Sequence, residues 1–523
     1  MSTGRRIALS FVLGLPVLAF LLHHYFVHGA GLIPTGFTNS ENVLYTSYAH
    51  QYLDNPGMHL GYSNPFDGDP ASPAIYFQPH TLLLAVGMQA GIDPGLLFSL
   101  FGFLMALACI YIGIRLLEHL LPDTPNRLVY IVLFTWGGGL TAITGVLSTI
   151  LSGHLPDNLL DSIYPADPAN GWWGLNWGRN FFIPLEAYYH FLFLSGIYCI
   201  IRQKWRWAIL VGMLVAVSHP FTGIEYLLIV TGWLGLEKII IRNRNIPWWV
   251  LAVHLLLTGL HAWYYLGYLP GFAAHRQLFS QYSAGWTYSF RVFIPAYLLV
   301  LLLALLSLRF GKAGWFNSAS QRLFFCWALV AFLLSKHEWF IRPMQPIHFT
   351  RGYPWAGLFL LGLPALVLIR EAARRSQVKK IMFSLFCCLL LLDNTLWITN
   401  KLLDRSATES EGHITRDTKE ILDWLAKNGN RNDLLLGNSS LVNYLANTYT
   451  AVNSWESHPY NTPMIEERRK QELEFLQSGE RPGNWNGRRI ILLVDTQAAA
   501  PAINPQLTTK IIFANSRYQL FIP

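Results

Sequence analysis

The sequence predicts a polytopic α-helical membrane protein, with about eleven transmembrane helices and a small exterior α/β domain at its C-terminal end. Three observations predict it. The 523 residues are 52% hydrophobic, 14% aromatic and only 13% charged, with a mean hydropathy of +0.31, whereas a soluble domain carries about 25% charged residues. Long apolar stretches recur as far as residue 398 and then stop. The lysines and arginines fall in short clusters between those stretches, so the net charge of +8 reads as membrane topology and not as a nucleic-acid surface.

A crossing needs roughly 20 apolar residues. The stretches that offer this are 7–27, 95–117, 128–151, 181–201, 207–220, 223–241, 248–268, 289–308, 323–339, 354–370 and 380–398. Arg5 and Arg6 precede the first, which ends in Leu21-Leu22-His23-His24-Tyr25 with no small-residue cleavage site; it reads as a retained span and not as a signal peptide. Segment 78–91 is apolar but short, between Pro79 and Gly91-Ile92-Asp93-Pro94, and reads as a helix lying in the interface. Arg5/Arg6, Arg115/Arg127, Arg202/Lys204/Arg206, Arg242/Arg244, Arg309/Lys312/Arg322 and Arg370/Arg374/Arg375/Lys379/Lys380 then all fall on the cytoplasmic side, as the positive-inside bias requires. Counting 78–91 as a crossing would move several of them outside. All five cysteines, Cys109, Cys199, Cys326, Cys387 and Cys388, lie in apolar stretches, so no structural disulfide is expected.

The domains expected are a transmembrane domain, 1–398, and an exterior α/β domain, 399–523. The first exterior loop, 28–94, carries the interfacial helix 78–91. Between Arg6 and Arg115 there is no lysine or arginine, and the loop holds Glu41, Asp54, Asp67 and Asp69. Glu41 follows Ser40, a residue type that caps helices, at the start of a helix continuing through Leu53. It is either a first-turn carboxylate favoured by the helix dipole or a general base at the membrane face. Asp67-Gly68-Asp69-Pro70 offers two carboxylates that suit a divalent cation, or an ordinary turn. His80 opens the interfacial helix and is a candidate substrate contact or a solvated histidine.

The second exterior loop contains Asp157, Asp161, Asp167 and Gly171-Trp172-Trp173-Gly174-Leu175-Asn176-Trp177-Gly178-Arg179. Its tryptophans form an interfacial belt or the wall of a sugar or lipid groove. Glu186 and His190 share a helix face inside a predicted span, where ionisable groups are costly and mark function by default, or satisfy each other. His219, in Ser218-His219-Pro220-Phe221-Thr222, and Glu225 stand where two short spans meet outside. Lys336, His337, Arg342, His348 and Arg351 are exterior cations against the positive-inside bias. Arginine's fork suits a phosphate; pairing with first-loop carboxylates or lipid headgroups is the other reading. Acidic loop, cations and aromatic walls are expected to form an exterior cavity, in which a carboxylate deprotonates an acceptor hydroxyl and the cations stabilise a departing phosphate. In the tail, a helix is expected over 415–427, a charged helix near 463–477, and strands at 434–436, 490–494, 511–513 and 518–522. Asn438-Ser439-Ser440 matches a glycosylation acceptor.

The order of a first span, an acid-bearing exterior loop, Tyr76-Phe77-Gln78-Pro79-His80, Ser218-His219-Pro220-Phe221, His348-Phe349-Thr350-Arg351-Gly352-Tyr353 and Ile421-Leu422-Asp423-Trp424-Leu425 resembles the GT-C class of integral-membrane glycosyltransferases. The resemblance covers most of the chain. It implies transfer of a sugar from a polyprenyl-phosphate donor to a glycan, lipid or protein hydroxyl, with Glu41 at the position of the first-loop catalytic acid. The class often has two adjacent acids there; this chain has Ser40-Glu41, which leaves Asp67 or Asp69 to share the task or Glu41 to act alone. A divalent cation, Mg or Mn, is implied only for a lipid pyrophosphate donor, and Asp67 and Asp69 are its candidate ligands. The expected location is a bacterial inner (plasma) membrane, with the N-terminus cytoplasmic and the C-terminal domain exterior. A transporter or flippase for a lipid-linked or anionic substrate is the alternative, although no internal repeat of the transporter kind is apparent, and a non-catalytic assembly protein is a third reading.

Overall fold

The computed structural model describes residues 1–54, 60–154, 156–281, 285–310, 318–405, 407–498 and 503–523; Lys312 of the basic clusters lies outside them. The chain is mostly helical, with strands concentrated in its C-terminal part. Among the described residues six helical stretches are long and apolar enough to cross a membrane: Thr3–Phe26, Pro94–Leu120, Trp248–Gly271, Phe290–Arg309, Pro346–Ala373 and Gln377–Leu403. The helices Leu128–Trp136 and Thr141–Ser152, bent by 52°, make a seventh if they are one broken span. The other predicted spans are also helical, as Pro184–Ile201, Trp205–Ser218, Pro220–Gly235 and Ala319–Ser335. Length and apolarity do not qualify them, so the count of about eleven is not supported. Pro220 divides one apolar run into two short helices, Ala319–Ser335 has only 17 residues, and Glu186 and His190 dilute Pro184–Ile201. The helix Pro79–Gln89 has 11 residues, well short of the roughly 20 that a crossing needs. All five cysteines are free thiols.

The chain divides into two compact units. The first comprises Met1–Phe20, Phe101–Trp263 and Ala284–Asp404; the second comprises Leu21–Leu100, Tyr264–Ser283 and Arg405–Pro523. Most of the first exterior loop therefore groups with the tail in the second unit.

In the first unit the helices pack through small residues, as membrane helices do. A side chain added at Gly362 would meet Leu303 at 2.7 Å. The break at Gly137-Gly138-Gly139 is held by Asp393 of the helix Gln377–Leu403. Its carboxylate accepts from the Thr141 hydroxyl at 2.6 Å, from Ala142 N–H at 2.9 Å and from Gly139 N–H at 3.3 Å. It thereby caps the second half-helix. Arg179 bridges Asp393, at 3.0 Å, to Asp167, all three buried. Burial raises the Asp167 carboxyl above its ordinary value, against the pull of Arg179.

The second unit contains strands β1 (Leu32–Pro34), β2 (His413–Thr415), β3 (Asp433–Gly437), β4 (Asn453–Ser454), β5 (Arg489–Asp495), β6 (Ile511–Ala514) and β7 (Tyr518–Phe521). β1 pairs antiparallel with β2, joining loop to tail. The others form a sheet in the order β4-β3-β5-β7-β6, with β3 parallel to β4 and β5, and β7 antiparallel to β5 and β6. β3 and β5 read as continuous apolar runs because both faces of a parallel core are covered. Leu434, Leu436, Trp455, Phe475, Trp485, Ile490 and Leu492 build that core. Helix Glu41–Asp54 is fastened to helix Ser440–Tyr449: Thr448 Oγ1 lies 2.7 Å from Ser47 Oγ and donates to the Val43 carbonyl at 3.1 Å. Asn438, the asparagine of the glycosylation match, spends its amide on Asp495, donating to its carbonyl at 3.0 Å and accepting from its N–H at 2.7 Å.

Candidate functional site

In the first unit, three short sequence signals set the backbone around one cluster. Pro184 occupies the first turn of Pro184–Ile201, where the missing N–H costs nothing, and places Glu186 in that turn with His190 one turn on. Pro220 ends one helix and starts the next. His219 caps it, its Nδ1 accepting from Thr222 N–H at 3.2 Å. Gly352, at φ +77°, turns the chain into the helix Tyr353–Ala373; a Cβ there would lie 2.8 Å from the Trp177 Cα, so only glycine fits. That turn presents the Arg351 carbonyl to His190, whose Nε2 lies 2.7 Å from it while Nδ1 lies 2.6 Å from the Glu186 carbonyl. A neutral imidazole has one proton for these two acceptors.

Five of the residues named from sequence meet here: Glu186, His190, His219, His348 and Arg351. Arg351 is 6% exposed. Its Nε is 3.5 Å from Glu186 Oε1, too long for a hydrogen bond, and makes none to any described residue. Its guanidinium lies 4.8 Å from the Trp173 ring centroid and 5.5 Å from that of Trp172, within cation–π range. One N–H, on Nη1, reaches the Trp172 carbonyl at 3.3 Å. The His348 ring stacks on Phe221 at 4.5 Å and meets Trp173 edge-on at 5.1 Å. Its Nδ1 has no hydrogen-bond partner among the described residues. His219 stacks on Tyr189 at 4.7 Å and lies 6.1 Å from His348. Trp172 and Trp173 pack on Arg351, and Trp177 packs on the His190 ring at 4.1 Å.

Glu225 also belongs here. It is fully buried, feels the charge of Glu186, and neither oxygen bonds a described residue. The sequence places it, with His219, where two short spans meet. Lys336 does not join: its buried ammonium donates to the Tyr288 carbonyl and, at 3.3 Å, to Glu338, over the Tyr288 ring at 3.9 Å. Arg342 is exposed on the loop that follows.

The remaining candidates belong to the second unit. Glu41 is the first residue of its helix and half-buried. The carbonyl of Ser40 accepts from the Tyr444 hydroxyl at 2.8 Å. Asp67 pairs with Arg468 at 2.9 Å, and Asp69 accepts from Ala71 N–H at 2.8 Å. Arg488 donates to the Gly68 carbonyl, and Arg431 to that of Pro70 at 3.0 Å. The Asp-Gly-Asp-Pro segment is thus a turn gripped by three tail arginines. Among the described residues no group of three or more histidine, cysteine or acidic side chains is arranged to hold a metal ion. His80 is fully buried, edge-on to Tyr45 at 5.8 Å, and burial pushes its imidazole down to about 3. Glu41 belongs to the second unit, and Arg342 and Arg351 to the first. No protein-family model matches the chain, and no curated protein matches it.

Proposed function

We propose that the protein is a membrane glycosyltransferase of the GT-C kind, moving a sugar from a polyprenyl-phosphate donor to an acceptor hydroxyl on the exterior face. The observation that carries this reading is the Arg351 cluster: a buried guanidinium on two tryptophan faces, its Nε without a hydrogen bond, beside the His348 Nδ1. Fixed donors of this kind suit a phosphate that gains charge as the sugar departs. Trp172, Trp173 and Phe221 offer surfaces for an apolar lipid or a sugar face. Glu41 is the proposed base for the acceptor, with Asp67 and Asp69 holding the turn of its loop; a divalent cation enters only with a lipid pyrophosphate donor. In this reading all the apolar helices cross, giving about eleven spans, with the N-terminus cytoplasmic, the C-terminal domain outside and a bacterial inner membrane as the location.

The transporter or flippase reading draws on the broken helix pair around Asp393 and on the buried Glu225, features that line substrate paths in transporters. A single assay separates the two. Detergent-solubilised protein is incubated with a radiolabelled polyprenyl-phosphate sugar and a membrane extract as acceptor. The transferase releases polyprenyl phosphate and labels the extract without any sealed bilayer. Absence of release in detergent, with movement of the lipid across proteoliposomes, would establish the flippase instead.

A further inference from the structure

The second unit carries a groove that the transferase chemistry does not use. On the helix Arg416–Asn428, the core face is Thr418, Ile421, Leu422 and Leu425. A different face presents Glu420, Asp423, Trp424, Lys427 and Asn428, the i, i+3, i+4, i+7, i+8 spacing of one helical stripe. With Phe513 of β6 these residues line an open surface groove. Trp424 and Phe513 are half-buried, their rings 5.9 Å apart and inclined at 46°. The register of β6 against β7 shifts between Ile511 and Phe513, and such bulges re-aim a side chain. An aromatic floor of this kind is not needed by the domain core, which is built on other residues.

The charges of the groove select its occupant. Glu420 pairs with Arg416 at 3.0 Å, and Asp423 with Lys419 at 2.9 Å, so neither acid calls for a cationic ligand. The two acids and their two partners cancel in charge, so the groove is not built for an anionic one either. Lys427 supplies donors at the rim, as does the second N–H of the Asn428 amide, whose first is given to the Trp424 carbonyl at 2.9 Å, and the carboxylate oxygens supply acceptors, above two aromatic faces. A neutral ring with an apolar C–H face and a fringe of hydroxyls meets all of these at once. We infer that this groove binds a pyranose ring of an oligosaccharide, stacked on Trp424 and hydrogen-bonded at its edge by Asp423, Lys427 and Asn428. The site is independent of the transferase reading: losing it leaves the Arg351 chemistry untouched.

The test is saturation-transfer NMR on the full chain, in a detergent without a sugar headgroup, with maltotriose, cellotriose and chitotriose as probes. At least one should receive transfer at the C–H protons of one ring face. Trp424→Ala should weaken its binding by about tenfold or more, and the exposed Asn428→Ala by a few-fold, with amide protection of β3 and β5 retained in both. Transfer to none of the three overturns the inference. So does transfer of equal strength in Trp424→Ala and Phe513→Ser. So does capture at the β6 edge of an extended peptide alone, since β6 is the outer strand of the sheet.

Discussion

Replacing Glu472 by glutamine should stabilise the second unit at neutral pH and leave it unchanged near pH 4.5. Glu472 sits on the helix Ile465–Ser478 beside Phe475 and Leu476, 8% exposed. Its Oε1 accepts from Gly437 N–H at 2.7 Å, at the end of β3. Burial pushes its carboxyl from the ordinary 4.5 up to about 8; the Gly437 N–H opposes that rise and Glu456 adds to it. The folded value is raised, so the stability contribution is fully present below 4.5 and is lost as pH rises through 8. At pH 7 the unfolded chain is ionised at this position while the folded one holds its proton. Each pH unit in that window costs about 1.4 kcal/mol, which makes the loss on the order of 3 kcal/mol at pH 7. Glutamine keeps an acceptor for Gly437 and has no proton to lose. Amide exchange of Leu434–Leu436 and Ile490–Leu492, converted to opening free energies between pH 4.5 and 8.5, measures it. The wild type should fall steadily and the variant should stay level. Parallel curves for the two, or a less stable variant at pH 7, would refute the reasoning.

Three further changes test other parts of the structure. Asp67→Asn leaves the buried Arg468 unpaired and should cost about 3 kcal/mol in chemical unfolding; adding Arg468→Met should recover most of it in a double-mutant cycle. Gly352→Ala forces a side chain into a left-handed turn 2.8 Å from the Trp177 backbone, and should abolish the monodisperse peak in size exclusion. Glu41→Gln should abolish sugar transfer while donor affinity stays within about twofold; full activity in that variant would remove Glu41 as the base.

The apolar runs made every predicted span legible as a helix, because burial in lipid or in a bundle asks for the same composition. Whether each crosses was not legible, since Pro184–Ile201 and Pro220–Gly235 give up apolar positions to the ionisable groups Glu186, His190 and Glu225. The tail was legible where its core is continuous: the strands at 434–436 and 490–494 are β3 and β5, and the charged helix near 463–477 is Ile465–Ser478. The pairing of β1 with β2 was hidden, because Leu32-Ile33-Pro34 and His413-Ile414-Thr415 carry no alternation and lie far apart in sequence. In the candidate site, Glu186, His190, His219, His348 and Arg351 could be named because ionisable residues stand out against an apolar background. The contacts of Lys336 were not legible, since one of its partners is a backbone carbonyl 48 residues away that leaves no trace in side-chain types. Asp393 escaped notice although it caps a broken helix, because a single acid in a long apolar run has no neighbour to betray its role.

The central claim is that Arg351 receives the lipid phosphate. Direct binding of polyprenyl phosphate, measured by native mass spectrometry on wild type, Arg351→Lys and Lys336→Met, tests it without any need for the sugar or the acceptor. The expected result is binding weakened about tenfold or more in Arg351→Lys, which loses the planar fork, and unchanged in Lys336→Met. Equal affinity in wild type and Arg351→Lys would contradict the account.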